Sequence, residues 1–352
     1  MKTYCKGYAL TRAKLRSAYD KWLKGGSGRK NAHRISEEYG SESAFLDVVW
    51  RELNAESLRF EPIKTYAKHD PNSGKLREIS VESVKRQVCN YLCVDALEPL
   101  LAAKVGFWQV SSGVEGKGAA MGMRKLDRAI RRFLLHVHID IRNCYGSMLT
   151  EMVYALVARY VRNRQVLYLL HALLSTMGEV LILGSYLSLR LAALVISFAY
   201  HAVEGAGTVR RGKRTNLVGC QVWYADDGYL LGNSKKALKR AVGIVARVLA
   251  GFGLALKPWK IMRNGVEPVD FAGYRIWCGH VDLRKMLWKK LRRAFARFDR
   301  RRTERLAKRA SSYWGWIYTA RMERQMVARQ GILNAARLFP GTRVFIAAKP
   351  AS

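Results

Sequence analysis

The spacing of hydrophobic positions changes along the chain, and each spacing predicts a different kind of element. The first 60 residues are predicted to be helical and polar, with a loop at the glycine-rich stretch 25–28. Residues 61–81 are typical of two strands joined by a hairpin turn at 70–74. Apolar positions then recur at helical intervals from Val84 onward and predict one further long helix.

The rest of the chain predicts a sheet covered by helices. The predicted elements are, in order, a basic helix at 121–134, a strand at 136–141, apolar helices at 151–176 and 187–204, paired strands at 217–232, an amphipathic helix at 235–252, a strand or tight hairpin at 269–277, and basic helices from 283 onward. This order is typical of an α+β fold, and we expect the helices to pack on one face of an antiparallel sheet.

The net charge of the chain limits the kinds of partner that the protein is expected to bind. The 352 residues include 62 Lys and Arg against 27 Asp and Glu, a formal net charge of +35, and 49 % of them are hydrophobic. A chain this apolar can bury a sizeable core, which excludes a largely disordered protein, and its length predicts two or three lobes. So much like charge on a compact body predicts a polyanionic partner, with nucleic acid first and an anionic membrane surface second.

A membrane location and a zinc site are both disfavoured by the sequence. The long apolar stretches around 166–183 and 191–203 are interrupted by polar residues or stop at 13 residues, short of the roughly 20 that a spanning helix needs. The six cysteines form no Cys-x-x-Cys pair and are scattered along the chain. We therefore expect free thiols, a reducing cytoplasm and no membrane.

Acidic residues are scarce, so an acidic pair inside an apolar segment stands out. Asp226 and Asp227 lie between Val222-Trp-Tyr and Tyr229-Leu-Leu, where adjacent buried carboxylates would repel each other unless a cation neutralises them. An inert, solvated Asp-Asp-Gly hairpin turn is the alternative. Asp140 ends a second apolar strand, and a sheet that sets the two segments side by side would bring Asp140 against Asp226, with Asp227 close behind.

Three carboxylates in one place favour Mg²⁺, which takes oxygen ligands and leaves room for substrate phosphates. Two such ions roughly 3.5–4 Å apart can activate an attacking 3′-hydroxyl and stabilise a leaving pyrophosphate. Because the charge of the chain predicts a nucleic-acid partner, nucleotidyl transfer is the leading interpretation.

Six segments of the chain occur in an order that is characteristic of one family. They are Gly74-Lys-Leu-Arg77-Glu-Ile79, Gly106-Phe107 with 112–118, His138-Ile-Asp140-Ile-Arg-Asn-Cys-Tyr145, Tyr224-Ala-Asp226-Asp227, Gly253-Leu-Ala-Leu-Lys257 with Lys260, and Phe271-Ala-Gly273-Tyr274. Together, over residues 64–316, they resemble the sequence blocks of reverse transcriptases. Any one segment alone is a weak signal, and the order of all six makes the resemblance specific.

The resemblance implies a right-hand polymerase with fingers, a ferredoxin-like palm and a helical thumb. The implied division is an N-terminal helical extension at 1–60, fingers at 61–135, a palm at 136–278 with a fingers-side helical segment at about 151–183, and a basic helical thumb at 279–352. The implied activity is RNA-directed DNA polymerisation with dNTPs. Its implied partners are template RNA and nascent cDNA.

Roles for individual residues also follow from the resemblance. Two Mg²⁺ ions, with Mn²⁺ as a substitute, would be bound by Asp140, Asp226, Asp227 and the backbone of Ile141. Tyr145 would lie under the sugar of the incoming nucleotide and exclude a 2′-hydroxyl. The other residues expected to bind substrate are Lys75, Arg77, Gly184, Ser185 and Lys260. Phe271 and Gly273 would form the primer grip.

A strongly basic segment lies at 284–309, with 13 Lys and Arg against two acids. Apolar residues at 287, 291, 295 and 298 form one stripe, so a solvated helical face is one interpretation. We favour a thumb that contacts the phosphates of a duplex without reading its sequence. The residues expected to make these contacts are Lys289, Lys290, Arg292, Arg293, Arg297 and Arg300.

One segment indicates the branch of the family. Leu183-Gly184-Ser185-Tyr-Leu-Ser-Leu189 stands where most reverse transcriptases carry Gln-Gly-x-x-x-Ser-Pro. It is closest to the aliphatic-Gly-x-x-x-Ser-Gln of diversity-generating retroelements, with Leu189 in place of that Gln. Such enzymes copy a template RNA into adenine-mutagenised cDNA and work with a small basic accessory protein, an oligomeric helical bundle.

Other functions stay open at this point. A phage-defence or retron-like reverse transcriptase shares the same chemistry, and a non-catalytic protein that binds structured RNA shares the same charge. In each case we expect a bacterial or phage-encoded protein in the cytoplasm.

Overall fold

The structure, a computed structural model, describes residues 2–69, 76–110, 114 and 116–319. Its helices are α1 (Arg12–Lys24), α2 (Gly26–Asn31), α3 (His33–Tyr39), α4 (Glu42–Asn54), α5 (Val84–Lys104), α6 (Ala119–Ile130), α7 (Thr150–Ala158), α8 (Arg164–Ser175), α9 (Tyr186–Glu204), α10 (Lys235–Ala250), α11 (Lys285–Arg300) and α12 (Glu304–Thr319). Its strands are β1 (Lys64–His69), β2 (Leu76–Val81), β3 (Leu135–Asp140), β4 (Gly207–Arg210), β5 (Lys213–Asn216), β6 (Cys220–Tyr224), β7 (Asp227–Gly232), β8 (Ile261–Arg263), β9 (Val269–Phe271), β10 (Tyr274–Ile276) and β11 (Val281–Leu283).

A four-stranded antiparallel sheet with the order β6-β7-β3-β8 carries both acidic segments. In it β3 lies between β7 and β8, with Val137 opposite Leu230 on one side and Ile261 on the other. Smaller antiparallel sheets are formed by β1 with β2, by β4 with β5, and by β9, β10 and β11. The α+β prediction is confirmed, and the sequence did not indicate β8 or the hairpin of β4 and β5.

Both faces of the central sheet are covered, so the prediction of helices on one face is wrong. Val137, Ile139 and Leu230 belong to a large core shared with α5, α9 and α10. Tyr229 and Leu231 belong to a second core shared with α6, β9, β10 and α11. The reason lies in β7, where consecutive apolar residues are buried, as in a strand covered on both sides.

The N-terminal helices pack on α5 as part of the larger core. The glycine-rich stretch predicted as a loop is mostly helix α2, because Gly28 packs closely against α1. A Cβ at Gly28 would lie 2.1 Å from the carbonyl oxygen of Trp22. Trp22 Nε1 in turn donates a hydrogen bond of 2.8 Å to Gln87 Oε1 on α5.

The helix predicted at 151–176 is two helices, α7 and α8. Asn163 starts the second of them, since its Oδ1 accepts a hydrogen bond of 3.0 Å from the backbone N–H of Val166. Asn163 Nδ2 also donates to the carbonyl oxygen of Tyr8 over 2.6 Å, which holds the break against the N-terminal segment. A side-chain cap of this kind competes with continuation of the preceding helix.

One helix in the described residues, α9, is long and apolar enough to span a membrane by length and composition alone, with 19 residues. It extends beyond the 13-residue apolar stretch read from the sequence, because Tyr186 and Arg190 join it. Most of it is inside the protein, with 72 % of its most apolar window buried. Its apolar face is therefore occupied by protein contacts.

Two glycines within helices offer a matched test of this packing. At Gly122 of α6 a Cβ would lie 2.4 Å from Phe271 Cζ, whereas at Gly243 of α10 nothing lies within 4 Å. We expect Gly122→Ala to lower the free energy of unfolding by about 1–3 kcal/mol through overpacking. Gly243→Ala should raise it by about 0.5–1 kcal/mol, because alanine favours the helix. Urea unfolding measures both, and equal effects of the two changes would contradict the packing of α6 on β9.

Candidate active site

The acidic pair lies at a tight turn between β6 and β7. Tyr224 and Asp227 are register partners, so Ala225 and Asp226 form a two-residue hairpin loop. Ala225 has φ of +53° and Asp226 a negative φ, the pattern of a type II′ turn. Such a turn matches the twist of the flanking strands and places Asp226 at its tip.

The lone acid of β3 lies beside this turn. Asp140 is the register partner of Asp227, not of Asp226 as the sequence predicted. The difference arises because Asp226 belongs to the turn and leaves the strand ladder. Its carbonyl oxygen instead accepts a hydrogen bond of 3.3 Å from the backbone N–H of Ile141. The three acids are thus gathered at one end of the sheet.

Burial and mutual repulsion act on Asp226. Burial raises the pKa of its carboxyl above the ordinary value, and the charges of Asp227 and then Asp140 raise it further. Lys257 opposes them by lowering that pKa. Among neighbouring groups, burial raises the pKa of the Cys144 thiol to about 12, with Asp226 and Asp140 adding to the effect. The site therefore favours a positive charge near Asp226.

A lysine already contacts Asp140. Lys257 Nζ lies 2.6 Å from Asp140 Oδ2, and the backbone N–H of Lys257 donates to the Asp140 carbonyl oxygen over 2.8 Å. The other carboxylate oxygen, Asp140 Oδ1, is buried and has no hydrogen-bond partner within the described chain. One oxygen of this carboxylate is therefore neutralised by a side chain, and the other is left for a further cation.

The third acid has a histidine partner. Asp227 Oδ1 lies 2.8 Å from His138 Nε2. The His138 ring stacks on Tyr229, with ring centroids 4.7 Å apart, and Tyr229 Oη donates to the carbonyl oxygen of Asp270 over 2.7 Å. Contacts through His138 and Tyr229 therefore connect Asp227 to β9.

The residues present fit a magnesium ion by their chemistry. The unpartnered Asp140 oxygen and the mutually repelled Asp226 carboxylate are hard oxygen donors that a divalent cation would neutralise. No group of three or more Asp, Glu, His or Cys side chains that could hold a metal ion is found in the described part of the chain. The fit is therefore to two carboxylates completed by substrate phosphates and water, which is the coordination Mg²⁺ commonly takes.

A cavity of about 480 Å³ extends from Tyr145 to the β1–β2 hairpin. Tyr145 begins a short 3₁₀ turn after β3, and burial, Cys144 and Asp226 all raise the pKa of its hydroxyl, which keeps it neutral. Gly184 and Ser185 line the same cavity, as does Leu189. Gly184 has φ of +107°, and a Cβ there would lie 3.3 Å from the carbonyl oxygen of Ser80. The structure thus brings Tyr145, Gly184 and Ser185 together, as predicted.

Lys75, Arg77 and Lys260 are the basic residues predicted to bind the triphosphate, and Lys260 is not among the residues that line this cavity. Lys75 lies outside the described residues, and Arg77 lies in β2 opposite Lys68. Lys260 is exposed and forms an ion pair of 2.9 Å with Glu267, whereas Lys257, three residues earlier, contacts Asp140.

The predicted primer grip is a tight hairpin of β9 and β10. Phe271 is fully buried, edge-on to Tyr224 with ring centroids 5.6 Å apart. Gly273 has φ of +98° and lies against Trp316, whose Cζ3 would be 2.9 Å from a Cβ at this position. The Phe271 side chain therefore supports the acidic turn from the core and, being fully buried, is not itself exposed to a ligand.

The predicted nucleic-acid-binding residues lie on α11. Its apolar stripe, including Leu291 and Phe298, is buried. Lys289, Arg292, Arg293, Arg297 and Arg300 are exposed, and Lys290 is partly exposed. Part of the predicted thumb, residues 320–352, lies outside the described residues.

Several residues of the site were missed from the sequence. Lys257 sits inside a segment that carries the family resemblance, but spacing and periodicity do not mark its position. The alternation of β3 places His138 on the same face as Asp140, but it does not indicate the contact with Asp227. Trp22 and Asn31 of the N-terminal helices also line the cavity. Only the packing of α1 and α2 on α5 brings them there, so no local signal could have identified them.

The sequence matches no model of a known protein family, and it matches no curated protein at a significant level. The candidate site therefore rests on its own geometry and on the residue patterns described above.

Removal of the Asp226 charge should stabilise the metal-free protein. Because the pKa of this carboxyl is raised in the folded state, its contribution to stability falls as pH rises through that raised pKa. We expect Asp226→Asn to raise the free energy of unfolding at pH 7.5 in EDTA by on the order of 1 kcal/mol. The gain should shrink towards zero near pH 4, where the unfolded carboxyl is also protonated. Thermal unfolding followed by circular dichroism measures it, and a destabilised variant at pH 7.5 would contradict a repelled, buried carboxylate.

Lys257 and Lys260 form a matched pair for a metal-binding test. Because the Lys257 ammonium neutralises Asp140, it competes with a divalent cation, and we expect Lys257→Gln to bind Mg²⁺ or Tb³⁺ two- to fivefold more tightly. Lys260→Gln, which loses only the ion pair with Glu267, should bind as the parent does. Calorimetry with Mg²⁺ and Tb³⁺ luminescence both report binding without any turnover. Weaker binding by Lys257→Gln would mean that this lysine orients Asp140 for the metal.

Proposed function

We propose that this protein is an RNA-directed DNA polymerase, a reverse transcriptase that extends a primer 3′-hydroxyl with dNTPs. The observation that carries the proposal is the meeting of Asp140, at the end of β3, with the Asp226-Asp227 turn of the neighbouring hairpin. Carboxylates on two adjacent strands, open to one side, suit a reaction whose substrates bring their own phosphate ligands. On this proposal the central sheet is the palm of a right-hand polymerase.

The cavity beside the acids supports nucleotide binding. It is lined by Tyr145, which follows Asp140 by five residues, and by the glycine at position 184, where the backbone itself forms the wall. A flat ring and an exposed stretch of backbone suit the sugar and base of a nucleotide. Tyr145 would exclude a ribose 2′-hydroxyl by occupying its space.

The proposed metal centre uses Asp140 and Asp226 with the backbone of Ile141, and Mg²⁺ bound there would neutralise charge on the reacting phosphates. The chain itself contributes orientation. His138 holds Asp227 at 2.8 Å, and the Ile141 N–H holds the carbonyl oxygen of Asp226 at 3.3 Å. Both contacts position the acidic turn relative to β3, and positioning of reacting groups is a large part of catalysis.

A basic surface supports a nucleic-acid partner. The exposed Lys and Arg residues of α11 lie on one side of a helix whose other side is buried, as expected of an element that lies along a phosphate backbone. A cleft between α11 and α12 is lined by five arginines, and no acidic residue lines it. We propose that α11 and α12 form the thumb and hold the template–primer duplex.

Within this function we propose the diversity-generating type, copying a template RNA into mutagenised cDNA with a small basic accessory protein. The support is the segment Leu183-Gly184-Ser185, of which Gly184 and Ser185 line the nucleotide cavity together with Tyr186 and Leu189. The aliphatic Leu183 before Gly184 is the feature shared with that type, whereas Leu189 stands where that type carries Gln.

Primer extension on an RNA template tests the activity. Asp226→Asn should reduce dNTP incorporation by at least about a thousandfold, since a missing carboxylate removes charge that balances the reacting phosphates. RNA binding, followed by fluorescence anisotropy, should survive because the basic helices are untouched. Asp127→Asn is the matched control, as Asp127 is an acid of α6 paired only with Arg131 on the surface.

Incorporation by Asp226→Asn at the parent rate would overturn the catalytic assignment. Tight RNA binding by the parent protein without any incorporation would instead support a non-catalytic RNA-binding protein. Sequencing of the cDNA separates the branches, because errors concentrated opposite template adenines support the diversity-generating type.

A further inference from the structure

A buried asparagine at the wall of the nucleotide cavity has an oxygen without a partner. Asn90 of α5 lines the cavity and is fully buried. Its Oδ1 makes no hydrogen bond to any described residue. An unpaired buried carbonyl is unfavourable, so a group that donates a hydrogen bond to it would be bound more tightly.

The orientation of this side chain is imposed by its neighbours. Asn90 Nδ2 donates to both carboxylate oxygens of Glu82, each at 2.9 Å, and lies 3.3 Å from Ser185 Oγ. Rotation of the amide by 180° would set its oxygen against a carboxylate, which is repulsive. The amide therefore offers only its oxygen to other groups.

Glu82 is itself locked in place. Arg86, which is fully buried, donates from Nε to Glu82 Oε1 over 3.1 Å. The remaining guanidinium nitrogens of Arg86 donate to Thr176 and to the carbonyl oxygen of Leu173. This buried ion pair is anchored on α8, so the Asn90 amide has a rigid support on the side away from the cavity.

The cavity has the character of a site for a flat ring. Tyr91 and Tyr186 stack on each other at its wall, with ring centroids 4.5 Å apart. Trp22, Tyr66 and Tyr145 also line it. Aromatic side chains around a small number of polar groups are typical of pockets that bind a nucleobase.

We propose that Asn90 is a base-contacting residue whose side-chain oxygen accepts a hydrogen bond from the exocyclic amino group of a nucleobase in this cavity. The inference rests on the proposed polymerase function and adds to it a preference for nucleobases that carry an exocyclic amino group. An amino group has two hydrogens, one for base pairing and one that faces a groove. Adenine, cytosine and guanine carry such a group, whereas thymine and uracil offer only an imino hydrogen that pairing consumes.

Nucleotide analogues that lack one amino group test the inference. We would compare dATP with the purine analogue lacking the 6-amino group, and dGTP with dITP, each as incoming nucleotide and also as the templating base. In at least one of these two comparisons, the parent protein should bind the base that carries the amino group more tightly than the analogue. The hydrogen bond to Asn90 should account for about tenfold of that preference. In Asn90→Leu this part of the preference should disappear.

A double difference isolates the contact from base pairing. Removal of an amino group also removes a base-pair hydrogen bond, and that loss is the same in every form of the protein. The preference of each protein is its affinity for the amino-bearing nucleotide divided by its affinity for the analogue. The quantity to measure is therefore the preference of the parent protein divided by that of the variant. Asn54→Leu, a change at an exposed asparagine at the end of α4, is the matched control and should leave the ratio at one.

A second variant covers the case in which Asn90→Leu does not fold. In Glu82→Gln the new amide can accept or donate, so the Asn90 side chain is free to turn and the preference should fall by about half on a logarithmic scale. Melting temperatures of all variants check folding. An unchanged preference in both variants, or no preference in a parent protein that extends primers, would overturn the inference and leave the proposed function intact. A parent protein that neither binds nor incorporates dNTPs would overturn both.

Discussion

Repulsion between carboxylates at the end of the central sheet is the constraint on which the rest of the structure depends. Asp226 is partly buried beside Asp227 and Asp140, and both this burial and the two neighbouring charges raise the pKa of its carboxyl. Two surrounding contacts reduce the repulsion between the carboxylates. Lys257 contacts one oxygen of Asp140, and His138 contacts one oxygen of Asp227. The buried Asp140 oxygen has no hydrogen-bond partner in the described part of the chain, and on the proposed function it is the oxygen that would bind a divalent cation.

The two hydrophobic cores explain how such a site can be held. One core sets β3 against α9 and α10, and the other sets the β6–β7 hairpin against α6 and the β9–β10 hairpin. Because β7 belongs to both, the position of the acidic turn is determined from two sides. A rigid sheet of this kind can keep like charges close together, since neither strand can move away without disrupting a core.

A buried polar network supports one wall of the cavity that Tyr145 also lines. Glu82, Arg86 and Asn90 are all buried, and their hydrogen bonds link β2, α5 and α8 beneath Ser185. Buried polar groups destabilise a protein unless they are satisfied, and in this network every polar side-chain atom but one has a partner among the described residues. The exception is the buried Oδ1 of Asn90, a residue that lines the cavity, and on the inference above a ligand rather than the fold completes the network there.

The sequence by itself determined the α+β class and singled out the three acids, because local alternation, turn signals and spacing are properties of short segments. Tyr145, Gly184 and Ser185 were expected only from the resemblance of the chain to a known family. The sequence did not determine that Asp140 pairs with Asp227, that helices cover both faces of the sheet, or that Lys257 rather than Lys260 contacts Asp140. Strand register, sheet burial and ion-pair choice depend on contacts between segments far apart in the chain. Trp22 reaches the cavity, and Glu82 orients Asn90, only once the tertiary structure has brought α1, α5 and β2 together, and no pattern along the chain encodes that meeting.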